Sequence, residues 1–214
     1  MLKLYSYFRS SAAYRVRIAL HWKQLNFETI SVHLVKDGGQ QHKDDYRRVN
    51  PMGHVPALDH DGFLVAESMA IIDYLDRVFG DKALFPADPQ QRALVIQICE
   101  LINSGIQPLQ NLKVNQLMEK EFGQTKEDCQ RWNQHWIKNG LSSLERILEK
   151  TSGAHCVGNT VTAAEAFLVP QCFSARRFGV DTAQFPVVSK MELAVLSLEP
   201  FKKAHPEAQP DYMP

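Results

Sequence analysis

Two hydroxyl side chains, Ser10 and Ser11, lie where a short apolar strand pattern (2–5) gives way to a helical pattern. The start of a helix carries unpaired backbone N–H groups and a partial positive charge, so it favours bound anions. A serine at this place is commonly an N-cap, whose oxygen accepts a hydrogen bond from the first turn. The alternative is that one hydroxyl donates a hydrogen bond to a bound thiolate or carboxylate. The two serines alone leave both interpretations open.

Glu67-Ser68 repeats this arrangement, because it begins a helix directly after a strand. Ser68 and the N–H groups behind it can bind a carboxylate, while Glu67 can pair with an ammonium group. The alternative is a helix cap with a favourable acidic residue in the first turn.

Val55-Pro56 lies just before the third predicted strand, and its peptide bond is a candidate for the cis form. A cis bond would turn the Val55 backbone outward, where an extended peptide can pair with it. A proline that merely marks the start of a strand is the alternative. Together with the two helix starts, this segment suits a short peptide that carries an amine, two carboxylates and a thiol.

Arg177 is a candidate for binding a substrate carboxylate. It follows Arg176 late in a helix that Thr162 and Glu165 open as a capping box. A guanidinium that faces a cleft binds a carboxylate through two hydrogen bonds. However, a cation near the C-terminus of a helix is also favourable without any ligand. The pattern does not decide between these roles.

The first 80 residues alternate short strands with helices. The runs 2–5 and 27–34, with the helix between them, predict a βαβ unit whose two strands are parallel. A polar stretch over 36–48 predicts a loop with a short helix. Asp61-Gly62 then separates two apolar runs and predicts an antiparallel hairpin, after which helical spacing returns over 67–78.

After Gly80 no alternating strand pattern occurs, and residues 85–89 indicate a linker. The sequence therefore predicts an α/β domain over 1–81 followed by an all-helical domain over 88–214. Helical spacing covers four stretches of the second domain: 89–119, 125–149, 162–176 and 187–203.

Composition excludes several function classes. The 24 basic and 24 acidic residues cancel, so no global field selects nucleic acid or an anionic membrane. No apolar run approaches the roughly 20 residues of a membrane span. The four cysteines form no CxxC pair, which argues against a zinc site or a dithiol centre. We therefore expect no metal, free thiols in the core, a small ligand and a cytoplasmic location.

The chain resembles the zeta class of glutathione transferases over nearly its whole length. Two motifs are specific: Ser-Ser-x-x-aromatic-Arg-Val-Arg-Ile-Ala-Leu over 10–20 and Gly-Ile-Gln-Pro-Leu-Gln-Asn over 105–111. Val55-Pro56, the segment 68–72 and the terminal Gln209-Pro-Asp also match. The resemblance implies a thioredoxin-like N-terminal domain with a mixed four-stranded sheet, an all-helical C-terminal domain that contributes the substrate site, a homodimer, and glutathione as cofactor.

Site residues follow from the resemblance by position. Ser10 and Ser11 match the residues that contact the glutathione thiol, and Val55 matches the backbone partner of its cysteinyl group. Arg177 matches the arginine that holds the substrate carboxylate, and Arg9 is a weaker candidate for the other end of the substrate. The remaining positions that match glutathione contacts are Gln41, Glu67, Ser68, Gln107 and Asn111.

The implied activity is the glutathione-dependent cis–trans isomerisation of maleylacetoacetate to fumarylacetoacetate in tyrosine and phenylalanine catabolism, by reversible thiolate addition, bond rotation and elimination. Maleylpyruvate and α-haloacids are alternative substrates, and a noncatalytic interaction module is an alternative from another class. One departure is notable. The family commonly has cysteine after the two serines, and this chain has Ala12, which makes haloacid chemistry less favoured while leaving the isomerase chemistry intact.

Overall fold

The computed structural model describes residues 1–213, which form two compact units. The first comprises Met1–Leu84 together with the C-terminal segment from Ser197, and the second comprises Phe85–Leu196. The sequence had placed the C-terminal segment with the helical domain. It packs on the first unit because its short helix α9 (Glu199–Ala204) buries Phe201 and Ala204 against helix α1 (Ser11–Trp22).

The first unit contains a mixed four-stranded sheet, which confirms the predicted fold class. The strands and the remaining helices of this unit are β1 (Leu2–Ser6), β2 (Phe27–Ser31), α2 (Asp44–Val49), β3 (Ala57–His60), β4 (Phe63–Ala66) and α3 (Ser68–Val78). The strand order is β2-β1-β3-β4, with β1 and β2 parallel and the other pairs antiparallel. Two 3-10 turns lie between β2 and α2.

The predicted hairpin joins β3 to β4. Both central residues of its turn, Asp61 and Gly62, have positive φ angles of 51° and 91°. A two-residue turn of this kind matches the right-handed twist of the flanking strands, which explains why Asp-Gly is favoured here. The prediction for β2 was too long, since the strand ends at Ser31 rather than at residue 34.

Helix α1 lies in the core of the first unit and carries two fully buried arginines, Arg15 and Arg17. Burial of an unpaired charge is costly, so each guanidinium must find hydrogen-bond acceptors inside the protein. Arg17 donates to the backbone oxygens of Tyr7, Phe8 and Ala204, and Arg15 donates to Ser68. These bonds connect α1 to the segments that surround its own start.

The second unit is helical, and the described part of it contains no strand. The helical stretch predicted over 89–119 is not continuous, because a π-helical segment (Leu101–Ile106) and a turn interrupt it. Pro108, which lacks a backbone N–H, lies in that turn. The helices are α4 (Pro89–Glu100), α5 (Leu112–Phe122), α6 (Lys126–Thr151), α7 (Ala163–Arg177) and α8 (Pro186–Leu196).

The predicted capping box of α7 is confirmed and is entirely buried. Glu165 Oε2 accepts hydrogen bonds from the Thr162 N–H (2.8 Å) and from its hydroxyl (2.9 Å), and Glu165 Oε1 accepts one from the Cys156 N–H (2.6 Å). One such capping interaction typically contributes about 1 kcal/mol. The carboxylate therefore serves the fold of the second unit rather than chemistry.

All four cysteines are buried free thiols, as predicted. Burial raises the pKa of Cys156 and of Cys172, which keeps both thiols protonated and unreactive. Among residues 1–213, no cluster of three metal-ligating side chains occurs. In the same range, none of the helices has the length and apolar character needed to cross a membrane.

Candidate active site

Ser10 closes the turn that joins β1 to α1. Its N–H donates to the Tyr7 carbonyl (3.0 Å), and its Oγ accepts a hydrogen bond from the Ala13 N–H (3.2 Å). Ser10 is thus the N-cap of α1, and the capping interpretation is confirmed. A hydroxyl has one donor as well as its acceptor sites, so capping leaves the hydrogen of Ser10 available for a ligand.

Ser11 differs from Ser10 because it is the first residue of the helix itself. Its side chain is half-buried, and its hydroxyl makes no hydrogen bond within the described chain. The rotation of Ser11 is therefore less constrained than that of the capping serine. Helix α1 also has no acidic residue in its first turn, so no side chain of that turn offsets the partial positive charge at the start of the helix.

Ser68 begins α3 and accepts a hydrogen bond from the buried guanidinium of Arg15 (3.1 Å). Since Arg15 can only donate, the Ser68 hydroxyl must direct its own hydrogen elsewhere, towards an acceptor such as a carboxylate. The bond also ties the starts of α1 and α3 to each other. The sequence motif includes Arg15, but its link to Ser68 was not predicted.

Glu67 is the N-cap residue of α3 by position, with a positive φ of 69° and an exposed side chain. That side chain makes no capping hydrogen bond. The alternative of a helix cap with an acidic residue in the first turn is therefore wrong, because α3 has neither. A non-glycine residue in the left-handed region is uncommon and marks a conformation that the surrounding structure imposes.

Val55 precedes Pro56 through a cis peptide bond, which is the first of the two alternatives that the sequence left open. Its side chain is buried in a cluster with Tyr7, Phe8 and Tyr46, which places it beside the turn that leads to Ser10. Within the described residues, neither backbone group of Val55 takes part in a hydrogen bond. Both are available to pair with the backbone of an extended ligand.

Gln41 is buried in the 3-10 turn that follows β2. Its Nε2 donates to the Leu34 carbonyl (3.1 Å), whereas its Oε1 has no partner among the described residues. A buried acceptor without a donor costs roughly 1–3 kcal/mol, and an N–H group of a ligand would remove that cost. Close packing explains why residue 39 is glycine, because a Cβ at this position would lie 2.6 Å from the Gln41 Nε2.

The first unit contains six predicted ligand contacts, which lie on connected segments, with Ser11 next to Ser10 in the chain. Ser10 follows the turn whose aromatic residues pack on Val55, and Leu34, which accepts from Gln41, packs against the same cluster. Arg15 joins Ser68 to α1. The groups on offer are two hydroxyl donors, a free peptide edge and an unpaired amide oxygen, with the exposed carboxylate of Glu67 next to Ser68.

Gln107, Asn111 and Arg177 lie in the second unit. Asn111 is the N-cap of α5, and its Oδ1 accepts the Lys113 N–H (3.1 Å), so a capping role accounts for this side chain without a ligand. Gln107 directly follows the π-helical segment, and its N–H donates to the Ile102 carbonyl within that segment. The structure leaves the ligand roles of both residues as predictions.

The adjacent arginines 176 and 177 differ in their surroundings. Arg176 binds the buried carboxylate of Glu192 through two hydrogen bonds (2.7 and 2.8 Å), so it serves the fold. Arg177 is exposed, with its guanidinium 5.8 Å from the centre of the Phe178 ring. Arg177 is therefore the better candidate for a substrate carboxylate. Arg9 is also exposed and stacks on Phe8 at 5.1 Å.

Sequence reasoning missed a reciprocal pair of buried amides. Gln110 and Gln171 exchange two hydrogen bonds of 3.2 Å, which join the turn that contains Gln107 to the middle of α7. Both side chains are buried. The only sequence signal was a polar residue in an otherwise apolar helix, which does not identify its partner 61 positions away.

The mixed sheet, the cis-proline segment and the donors at two helix starts define a thioredoxin-like domain of the kind that binds glutathione. Residues 4–83 match the family model "Glutathione S-transferase, N-terminal domain". The maleylacetoacetate isomerase of Mus musculus is 47% identical over 208 residues, which cover 97% of this chain and 94% of that protein. The chain belongs to the glutathione transferase family and, within it, to the zeta class.

Solved structures agree with this assignment. A holo structure of a bacterial zeta-class maleylpyruvate isomerase is 35% identical, with a TM-score of 0.95 over 99% of this chain and 100% of that one. The maleylacetoacetate isomerase of Anaeromyxobacter dehalogenans, solved with dicarboxyethyl glutathione and citrate in its active site, is also 35% identical, with a TM-score of 0.88 over 100% and 98% of the two chains.

Replacing Ser10 with alanine tests whether this hydroxyl stabilises the glutathione thiolate. We expect the pKa of bound glutathione to rise in Ser10→Ala, because a hydrogen bond that favours the charged form is lost. We also expect about 1 kcal/mol less stability from the lost cap. Ser11→Ala is the matched control and should change both quantities less. The measurement is the thiolate absorbance at 240 nm as a function of pH, and an equal effect of both substitutions would contradict the assignment to Ser10.

Proposed function

We propose that this chain is a glutathione-dependent isomerase that converts maleylacetoacetate to fumarylacetoacetate in tyrosine and phenylalanine catabolism. The observation that carries the proposal is the start of α1, where the fixed Ser10 hydroxyl lies at the partially positive end of a helix that has no acidic residue in its first turn. Such a place favours an ionised sulfur. High identity to a maleylacetoacetate isomerase over nearly the full length supports the choice of reaction.

Glutathione fits the groups that the first unit offers. The Val55 backbone would pair with the cysteinyl part, and the unpaired Gln41 Oε1 would accept an N–H of the tripeptide. Ser68, oriented by Arg15, would donate to a carboxylate, and the exposed Glu67 would pair with the ammonium group. Gln107 and Asn111 would supply further contacts.

Bound glutathione supplies a thiolate that adds reversibly to the cis double bond, and the single bond so formed can rotate before the sulfur leaves. The chain's own task is to keep that sulfur ionised and directed. Ser10 would donate a hydrogen bond to the sulfur of bound glutathione, and the start of α1 would lower the pKa of that thiol. Arg177 would hold a substrate carboxylate, with Arg9 as a weaker candidate for the other end. Preorganised donors of this kind lower barriers because they need no rearrangement during the reaction.

Maleylpyruvate is the second candidate substrate, since a maleylpyruvate isomerase gives a TM-score of 0.95. It is a shorter relative of maleylacetoacetate, so the same contacts serve both. Haloacid conjugation is less favoured, because Ala12 removes the thiol that relatives carry beside the serines. A noncatalytic interaction module is disfavoured because it has no need of an unpaired Gln41 oxygen or an oriented Ser68.

The proposal includes a cytoplasmic homodimer. Four free buried thiols suit a reducing compartment. Strand β4 is an edge strand that exposes Phe63 and Leu64, and exposed apolar side chains on an edge are typical of an interface. Sedimentation equilibrium gives the subunit number, and a monomer at micromolar concentration would contradict the dimer. Cell fractionation tests the location.

Removing glutathione is the first test of the proposed reaction. Extensively dialysed protein should show no isomerisation of maleylacetoacetate in an ultraviolet assay, and added glutathione should restore it without being consumed. Maleylpyruvate is assayed in parallel, and the larger kcat/KM identifies the preferred substrate. Turnover by dialysed protein without glutathione would exclude the mechanism, and glutathione binding without turnover of either substrate would favour the noncatalytic module.

Arg177→Ala tests the substrate-binding role. We expect KM to rise and kcat/KM to fall by about 10²-fold, because a charge-assisted contact to a carboxylate contributes roughly 1.5–3 kcal/mol. The Kd of glutathione should stay nearly unchanged. Arg131→Ala is a matched control, since Arg131 is an exposed arginine that pairs with Asp128 near the start of α6. Turnover at the level of the unsubstituted protein would show that Arg177 has no such role.

A further inference from the structure

The terminal motif Gln209-Pro-Asp has no role in the reaction described so far. Gln209 Nε2 donates to the backbone carbonyls of Lys203 (2.8 Å) and His205 (2.9 Å), which fixes the segment to the end of α9. Gln209 is largely buried in making these contacts. The chain then runs to Asp211, whose carboxylate reaches the turn before α1.

Asp211 contacts this turn through a backbone group. Its Oδ2 accepts hydrogen bonds from the Phe8 N–H (3.0 Å) and from the Ser31 hydroxyl (3.2 Å). The next residue, Tyr212, packs edge-on against the Phe8 ring at 5.5 Å. Phe8 is only 3% exposed, so its peptide N–H has little access to water as a substitute partner. A lost acceptor at this position therefore leaves a buried donor unpaired.

The Phe8 carbonyl accepts a hydrogen bond from Arg17, whose charge is opposite to that of Asp211. Arg17 Nη2 donates to the Phe8 carbonyl (3.1 Å), and Arg17 Nη1 reaches the Tyr7 carbonyl (3.4 Å). The Tyr7 carbonyl is also the acceptor for the Ser10 N–H. Both backbone groups of Phe8 are thus fixed from outside the turn, by residues that come from α1 and from the C-terminal segment.

We propose that Asp211 is a positioning residue for the isomerisation. By holding the Phe8 N–H, its carboxylate keeps the Tyr7–Ser10 turn in the conformation that directs the Ser10 hydroxyl at the glutathione sulfur. The inference rests on the proposed function, and specifically on Ser10 as the donor to that sulfur. Asp211 acts through the Phe8 peptide, so its effect depends on its oxygen as an acceptor and not on its charge.

Asp211 could act through its charge or by positioning the turn, and these two roles predict opposite changes in the pKa of bound glutathione when Asp211 is replaced. A negative charge in the neighbourhood of a thiolate raises the pKa of the thiol, so removing that charge alone would lower this pKa. Loss of positioning instead misaligns the Ser10 donor and raises the pKa of bound glutathione. The direction of the change therefore separates the two roles. A variant that is merely less stable leaves the pKa of the folded complex where it was.

The experiment compares Asp211→Ala with Asp211→Asn, whose amide oxygen can still accept the Phe8 N–H. The matched control is Glu207→Gln, because Glu207 carries a charge in the same segment and its carboxylate makes no hydrogen bond or ion pair within residues 1–213. Each purified variant is saturated with glutathione, and its thiolate absorbance is titrated against pH. Glutathione Kd, kcat and thermal unfolding are measured on the same samples.

We expect Asp211→Ala to raise the pKa of bound glutathione and to lower kcat roughly tenfold or more, since a small displacement of a catalytic group is costly. Its glutathione Kd should change less than about threefold, because the tripeptide contacts lie elsewhere. Asp211→Asn and Glu207→Gln should resemble the unsubstituted protein. If Asp211→Ala does not fold, Ser31→Ala, which removes the other partner of the carboxylate, should give the same changes at smaller size.

A lowered or unchanged pKa in Asp211→Ala would overturn the inference, as would an Asp211→Asn variant as impaired as the alanine variant. Ser10→Ala, titrated alongside, separates this failure from failure of the proposed function. If Ser10→Ala raises the pKa while the Asp211 and Ser31 variants do not, only the positioning role is wrong. If Ser10→Ala also leaves the pKa unchanged, the proposed thiolate contact itself fails.

Discussion

The buried guanidinium of Arg17 is the interaction on which the site in the first unit depends. It is inaccessible to solvent and donates to the Ser6 hydroxyl (3.1 Å) and to the carbonyls of Tyr7, Phe8 and Ala204. Burial lowers the pKa of Arg17 to about 10, which still leaves it charged at neutral pH. A buried charge of this kind is tolerated only while its acceptors stay in place. The β1–α1 turn and the end of α9 are therefore fixed by one side chain.

A second buried arginine, Arg15, fixes the start of α3 in a similar way. Arg15 lies on the same helix as Arg17 and donates to Ser68 at the beginning of α3. The two helix starts that offer donors to an anion are thereby connected through α1, and no flexible loop has to set their spacing. Donors that are fixed before the ligand arrives cost no reorganisation during binding or reaction. This preorganisation is the physical basis of the proposed glutathione site.

Local signals allowed much of the first unit to be predicted. The hairpin at Asp61-Gly62, the N-cap at Ser10 and the start of α3 at Ser68 each depend on neighbouring residues, and the structure contains all three. The bonds that order the site were not predictable in this way. Asp211 and Phe8 are 203 positions apart, and nothing in the spacing of either residue identifies the other.

In the second unit, too, local motifs could be predicted from the sequence, whereas contacts between residues far apart in the chain could not. Its capping box at Thr162 is a local motif and was predicted, whereas the reciprocal amide pair of Gln110 and Gln171 was not. The helix predicted over 89–119 is interrupted because Pro108 follows a π-helical segment, and helical spacing of apolar residues continues through such a break. The role of Asn111 is also ambiguous from the sequence. In the structure its side chain caps α5, whereas the family resemblance implies that it contacts glutathione.

In the proposed mechanism, the start of α1 holds the sulfur of bound glutathione in its ionised form, and this sulfur is the reagent. S-methylglutathione tests this most directly, because it keeps the peptide, the amine and both carboxylates while its sulfur cannot ionise. Dialysed protein is loaded with this analogue, its binding is confirmed by competition with glutathione, and isomerisation of maleylacetoacetate is followed by ultraviolet absorbance. We expect binding without turnover. Turnover comparable to that with glutathione would contradict the proposed mechanism.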